Sequence, residues 1–206
     1  MNNAKTIGYW SAVISLLFAL GYSVAQLLST FKMLPHPQDL FWLFLPSLFL
    51  APPFVVTMIC LHYSVSENLK IWTAIGVAFA IMYGVLVDLV YFSQLTVVVP
   101  AQLRGEINET HVLIFGTKTF LMAVDCLGYF FMSLSTLFAA FAFRNQVNRK
   151  WLYRGMLYNG LLLPVIIFAF FYPLLYYIGA LWMITFPLAM IQAIWLFQKF
   201  TPAKTL

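Results

Sequence analysis

The chain has 206 residues, 63% of them hydrophobic and 8% charged, with a formal net charge of +5 and a mean hydropathy of +0.91. Soluble globular chains are roughly a quarter charged, so this composition excludes an ordinary water-soluble domain and reads as an integral membrane protein. The positive balance does not point to a nucleic-acid partner, because the basic residues lie singly or in one short cluster between apolar runs, where they flank a membrane.

A transmembrane helix needs about 20 mostly apolar residues, and six stretches qualify: 7–31, 41–63, 71–99, 118–143, 154–172 and 174–198. The predicted fold is an all-α membrane bundle of six helices, forming one domain over residues 1–206. The first stretch, IGYWSAVISLLFALGYSVAQLLSTF, is longer than the apolar core of a secretory signal, and no small-residue cleavage site follows it, so it reads as a retained helix. KMLPHPQD closes it. The second holds Pro46, Pro52 and Pro53, each of which removes a backbone donor and kinks or interrupts a helix. SVSENLK then leads into the third stretch, which carries Asp88, Tyr91 and Gln94.

The long connection is PAQLRGEINETHVLIFGT, residues 100–117. Its HVLIF piece reads as a short cap over the bundle or as the frayed start of the fourth helix. The whole segment reads equally as a functional lid or as a hydrated linker. Asn108-Glu109-Thr110 fits a glycosylation sequon, a three-residue pattern that is common by chance. The fourth stretch carries Asp125, Tyr129 and Ser133. FRNQVNRKWLYR separates it from the fifth, which contains Pro164, and Pro173 supplies the turn into the sixth. If residues 1–99 and 118–198 were inverted halves, the proline-bearing helices would occupy matching middle positions, as in transporters. Prolines are also ordinary in membrane helices, and no residue-by-residue repeat accompanies them.

With six spans, one side receives Lys5, Lys70, Arg144, Arg149, Lys150, Arg154, Lys199 and Lys204, and the other Lys32, Arg104 and Lys118. The positive-inside rule therefore predicts both termini in the cytoplasm; the expected location is the cell (inner or plasma) membrane.

VDLVYFSQL at 87–95 and VDCLGYFFMSL at 124–134 each set one aspartate inside an apolar run. Such a residue costs about 2.5–3.5 kcal/mol at a helix centre, which the surrounding apolar side chains can offset. Insertion is permitted but the aspartates are not explained by it. Asp88 lies about 11 residues before the outer end of its helix and Asp125 about 7 residues after its helix enters. These offsets put them roughly 16 and 10 Å below the outer surface. If the helices are neighbours, the two carboxyls share one polar pocket. Tyr91 and Gln94 follow Asp88, and Tyr129, Ser133 and Thr136 follow Asp125 along one helix face. No lysine or arginine lies within hydrocarbon beside them, so the neutral form is favoured and at least one carboxyl is expected to be protonated at neutral pH.

Cys60 and Cys126 are predicted at different depths, out of disulfide reach. His36, His62 and His111 make no metal-ligand pattern. Gln26 falls in the outer third of the first helix, where it could join the aspartate pocket. Interhelical hydrogen bonding accounts for Gln26, Asn159 and Gln192 at least as well as any function. Trp10, Trp42, Trp72, Trp151 and Trp195 fall at predicted helix ends and read as interfacial anchors. The basic 144–154 cluster satisfies the positive-inside rule and could also meet anionic lipid headgroups.

The run FRNQVNRKWLYRGMLYNGLLLPV, residues 143–165, resembles a loop and following helix of uncharacterised prokaryotic multi-pass membrane proteins. That resemblance implies the membrane class and no chemistry.

The leading functional expectation is a small-solute or cation binding or translocation protein, with a pocket of Asp88, Tyr91, Gln94, Asp125, Tyr129 and Ser133 in the outer half of the bilayer. The alternatives are a membrane-embedded enzyme on a lipid-like substrate, with the carboxyls as acid and base, and a structural or accessory subunit whose aspartates only tie helices together. No catalytic residue, metal ligand or cofactor is predicted; membrane lipids are the expected surroundings.

Overall fold

The structure is a computed structural model that describes residues 2–106, 111–169, 171–172 and 174–199. The Asn108-Glu109-Thr110 sequon and Pro173 lie outside the described residues. Six helices are long and apolar enough to cross a membrane: Asn3–Thr30, Gln38–His62, Glu67–Arg104, Phe120–Phe143, Val147–Ala169 and Leu175–Lys199. No strand occurs among the described residues.

The α-helical segments are α1 Asn2–Thr30, α2 Gln38–His62, α3 Lys70–Ser93, α4 Val99–Arg104, α5 Phe120–Phe143, α6 Lys150–Gly160, α7 Leu163–Ala169, α8 Leu175–Gly179 and α9 Trp182–Lys199. Helices consecutive in the chain pack side by side, and α9 returns to α1, so the order around the bundle is α1, α2, α3, α5, α6, α9. The interior is filled by Phe44, Phe54, Tyr83, Met132, Met156, Phe186 and Phe197, each almost fully buried. Leu17, Val85, Leu89 and Phe92 are exposed, as expected for surfaces whose solvent is lipid.

Several predicted bounds shift. The third span is α-helical only to Ser93; a π-helical segment, Gln94–Val98, follows, and α4 extends the helix to Arg104. Gly105, with φ 78°, ends it in the left-handed region, which a residue without Cβ enters freely. The fifth span begins at Val147, seven residues before the expected start, and breaks at residues 161–162. Pro164 explains the break: it has no N–H for the carbonyl of Gly160, and it sits in the first turn of α7, where that loss is tolerated. The sixth span divides between α8 and α9, where Leu181 N bonds Ile178 O and Met183 N bonds Ala180 O in a tightened turn. By contrast, α2 runs unbroken through Pro46, Pro52 and Pro53. The middle member of the second half is therefore interrupted while that of the first, α2, is not, so the two halves do not match at this point.

Several close helix approaches depend on glycines, Gly128 and Gly160 among them. A methyl group on Gly128 of α5 would stand 2.6 Å from Val87 Cγ1 on α3, and one on Gly160 of α6 would stand 2.8 Å from Leu137 Cα on α5. Deeper in the bundle, Asn159 Nδ2 donates to Thr136 Oγ1 at 3.1 Å and Thr185 Oγ1 donates to Asn159 Oδ1 at 3.0 Å, tying α6, α5 and α9 together. The interhelical role expected of Asn159 is thus visible.

Candidate functional site

The third and fourth spans, α3 and α5, are direct neighbours. They run antiparallel, with Val87 facing Gly128 and Gly76 facing Ser135 at close approaches. Asp88 follows Val87, and Asp125 precedes Gly128 by three residues, so the two carboxyls lie within about one helical turn of each other in depth.

Their surroundings differ. Asp125 is 7% exposed and belongs to the inward row of α5 with Leu121, Gly128, Met132 and Thr136. It stands close enough to Tyr22, Tyr83, Tyr91 and Tyr129 to interact electrostatically with each. Asp88 is half-buried. It follows Gly84 by one turn, and a methyl group on Gly84 would meet Val55 and Ala51 of α2 at 3.5 and 3.9 Å. That row of α3 faces α2, which turns Asp88 toward the α2 seam while Asp125 points to the tyrosines. No hydrogen bond joins the two carboxyls among the described residues; Tyr83 is near enough to interact electrostatically with both.

Tyr91 and Tyr129 come together across the helix pair, with the Tyr91 hydroxyl donating to that of Tyr129 at 3.2 Å. A run of aromatic rings extends from this contact. Tyr129 packs on Trp182 at 5.1 Å between centroids, Trp182 on Tyr22 at 5.1 Å, and Tyr83 on Tyr129 at 5.8 Å. On the other side Tyr91 stacks on Phe44 at 5.8 Å. One buried carboxyl is therefore surrounded by phenol rings contributed by α1, α3 and α5, with the α9 indole behind them. The Oδ1 atoms of both Asp125 and Asp88 are buried without a hydrogen-bond partner among the described residues.

Gln94 has a different task. Its Nε2 donates to Leu113 O at 2.7 Å, and its Oε1 accepts from Phe115 N at 3.3 Å. Phe115 packs edge-on against Phe44 at 5.5 Å. The 111–115 piece is thus a cap pinned to the bundle, and Gln94 holds the cap instead of lining the carboxyl site. Ser133 is buried two turns inward from Asp125 on the same helix. Gln26 accepts from Tyr22 Oη at 3.0 Å and donates to Thr30 Oγ1 at 3.3 Å, so it meets the site through Tyr22. His62 Nδ1 lies 3.0 Å from Thr73 Oγ1 and joins α2 to α3. Cys60 and Cys126 are free thiols.

Tyr22, Tyr83 and Trp182 were not read from the sequence as site residues. Signals were present for two of them. Trp182 lies well inside the predicted 174–198 span, away from the interfacial depth at which tryptophans anchor. Tyr22 precedes Gln26 by four residues, which places two hydrogen-bonding side chains on one face of a membrane helix. Tyr83 carried no comparable signal; its role depends on α2 and α5 arriving at either side of α3.

The chain matches no protein-family model, no curated protein and no solved structure, so its functional reading rests on the chemistry of the site.

Proposed function

We propose that this chain is an integral membrane protein, both termini cytoplasmic, that binds or translocates a small solute or cation at Asp125 in the outer half of the bundle. Proton exchange on the carboxyl sets whether the site is occupied. The observation that carries this reading is the Asp125 carboxyl itself: buried within the bundle and ringed by tyrosines, with no cationic partner and an unpaired Oδ1 among the described residues.

An aspartate that only ties helices together spends both oxygens on a neighbouring helix, whereas Asp125 meets Tyr91 of α3 and leaves Oδ1 without a partner among the described residues. An unpaired buried oxygen costs about 1–3 kcal/mol, and intramembrane carboxyls of this kind ordinarily serve ion or proton pathways. The faces of phenol and indole rings attract cations, and the Tyr91 and Tyr129 hydroxyls add hydrogen-bonding groups. Further polar groups continue inward from the site, from Ser133 to the Thr136, Asn159 and Thr185 cluster. The eight basic residues on one side against three on the other support the orientation.

The test uses the purified full chain in detergent, screened by thermal denaturation against Na⁺, K⁺, primary and quaternary amines and small neutral solutes. Each is tested at acidic and alkaline pH. A ligand at a hundred times its Kd stabilises by about 2.7 kcal/mol, a readily measured shift. Asp125→Asn is expected to keep the unliganded midpoint and lose the response. If Asp125→Asn and Asp88→Asn both retain native stability and every ligand response of the parent chain, the site is not there.

A further inference from the structure

We propose that the cleft between α6 and α9, at the basic end of the bundle, is a binding site for the headgroup of an anionic phospholipid. It is separate from the Asp125 site and requires only that the basic end face an anionic leaflet.

The cleft measures about 530 Å³ and is lined by Asn148, Arg149, Trp151, Gln192, Trp195 and Lys199 with two leucines. That volume is within the range of small-ligand sites, which run from about 300 to 1,000 Å³. Neither of its two cations, Arg149 and Lys199, has an ion-pair partner among the described residues. The ion pairs among the described residues are His36 with Asp39, Lys70 with Glu67 and Arg104 with Glu106, none of them here. Arg149 uses one Nη1 hydrogen on Ser64 O at 3.1 Å and rests over the Phe143 ring, and a guanidinium has five N–H donors in all. The remaining donors and the Lys199 ammonium suit phosphate oxygens, which arginine grips in two-pronged fashion. Gln192 belongs to the same lining, with its Oε1 packed against Gly155 of α6, where a methyl group would stand 2.0 Å from it.

Depth decides between a lipid and a soluble anion. Arg149 stands at the start of the fifth span and Lys199 at the end of the sixth, which is headgroup level. Trp151 and Trp195 flank the cleft with large exposed indoles, placed as interfacial tryptophans are and offering apolar surface to glycerol and upper acyl carbons. Basic pockets between membrane helices on the cytoplasmic side take acidic lipid headgroups. Position within the cluster matters as well as charge: Arg144 and Lys150 are equally basic and exposed, yet neither lines the cleft.

The experiment is native mass spectrometry of the full chain, offered equimolar phosphatidylglycerol and phosphatidylcholine with identical acyl chains. Thermal stability is measured in parallel with each lipid and with sodium phosphate. Phosphatidylglycerol is expected to be retained preferentially. Lys199→Gln should reduce that preference about fivefold, the worth of one basic residue at an anionic surface, while the paired Arg144→Gln, Lys150→Gln variant should leave it in place. Lys199→Gln is the primary variant because Arg149 also bonds the Ser64 carbonyl, so its loss can disturb folding. Equal retention of the two lipids, an equal effect of both variants, or stabilisation by sodium phosphate alone would each overturn the proposal.

Discussion

The contact of Gly128 with Val87 sets the register on which the tyrosine and carboxyl groups meet, and it can be perturbed by a single methyl. A Cβ on Gly128 would stand 2.6 Å from Val87 Cγ1, where contacts shorter than 3.4 Å are already tight, a shortfall of about 0.8 Å. Valine is stiff at χ1 in a helix, so the backbones of α3 and α5 must separate. Overpacking of this kind costs about 1–3 kcal/mol, and replacing glycine inside a helix returns up to about 1 kcal/mol through propensity. Gly128→Ala is therefore expected to destabilise by up to about 2 kcal/mol, the steric term exceeding the propensity gain. The more discriminating quantity is the coupling with Val87→Ala, which removes the opposing methyl. In reversible unfolding in mixed micelles, the double variant should be more stable than the sum of the singles by about 1–3 kcal/mol. A coupling below about 0.5 kcal/mol is ordinary additivity and would refute the close approach. The same separation lengthens the 3.2 Å bond from Tyr91 to Tyr129 beyond hydrogen-bonding range, so Gly128→Ala should also weaken any ligand response that depends on Asp125.

Two further perturbations test the parts around the site. Gln94→Leu removes both bonds to the 111–115 cap, leaving groups whose lost partners cost about 1–3 kcal/mol; hydrogen exchange should rise at residues 111–119 while α1 and α2 stay protected, and unchanged exchange would deny the cap its anchor. Asn159→Leu removes two interhelical bonds worth about 0.6 kcal/mol each on average, so stability should fall by roughly 1 kcal/mol. Gln26→Leu, whose partners Tyr22 and Thr30 lie on its own helix, should cost less; the reverse order would sink the assignment.

The sequence by itself determined the six apolar helices, because span length and polar punctuation are local properties that a bilayer reads one segment at a time. It also singled out Asp125 and Tyr129, since one carboxyl in an apolar run stands out without knowledge of its neighbours, and it paired them on one face by helical spacing. Tertiary structure decided what those residues touch. It set Asp88 on the α2-facing row and Asp125 among the tyrosines, with Tyr83 in electrostatic reach of both. It gave Gln94 to the cap, and brought Tyr22 and Trp182 from the first and last spans to the same place. The physical reason is that a side chain's rotation about its helix is fixed by close approaches such as Val87 with Gly128, and by which helix arrives at each seam. The return of α9 to α1 closes the ring and joins residues 160 positions apart, a juxtaposition on which no local pattern bears.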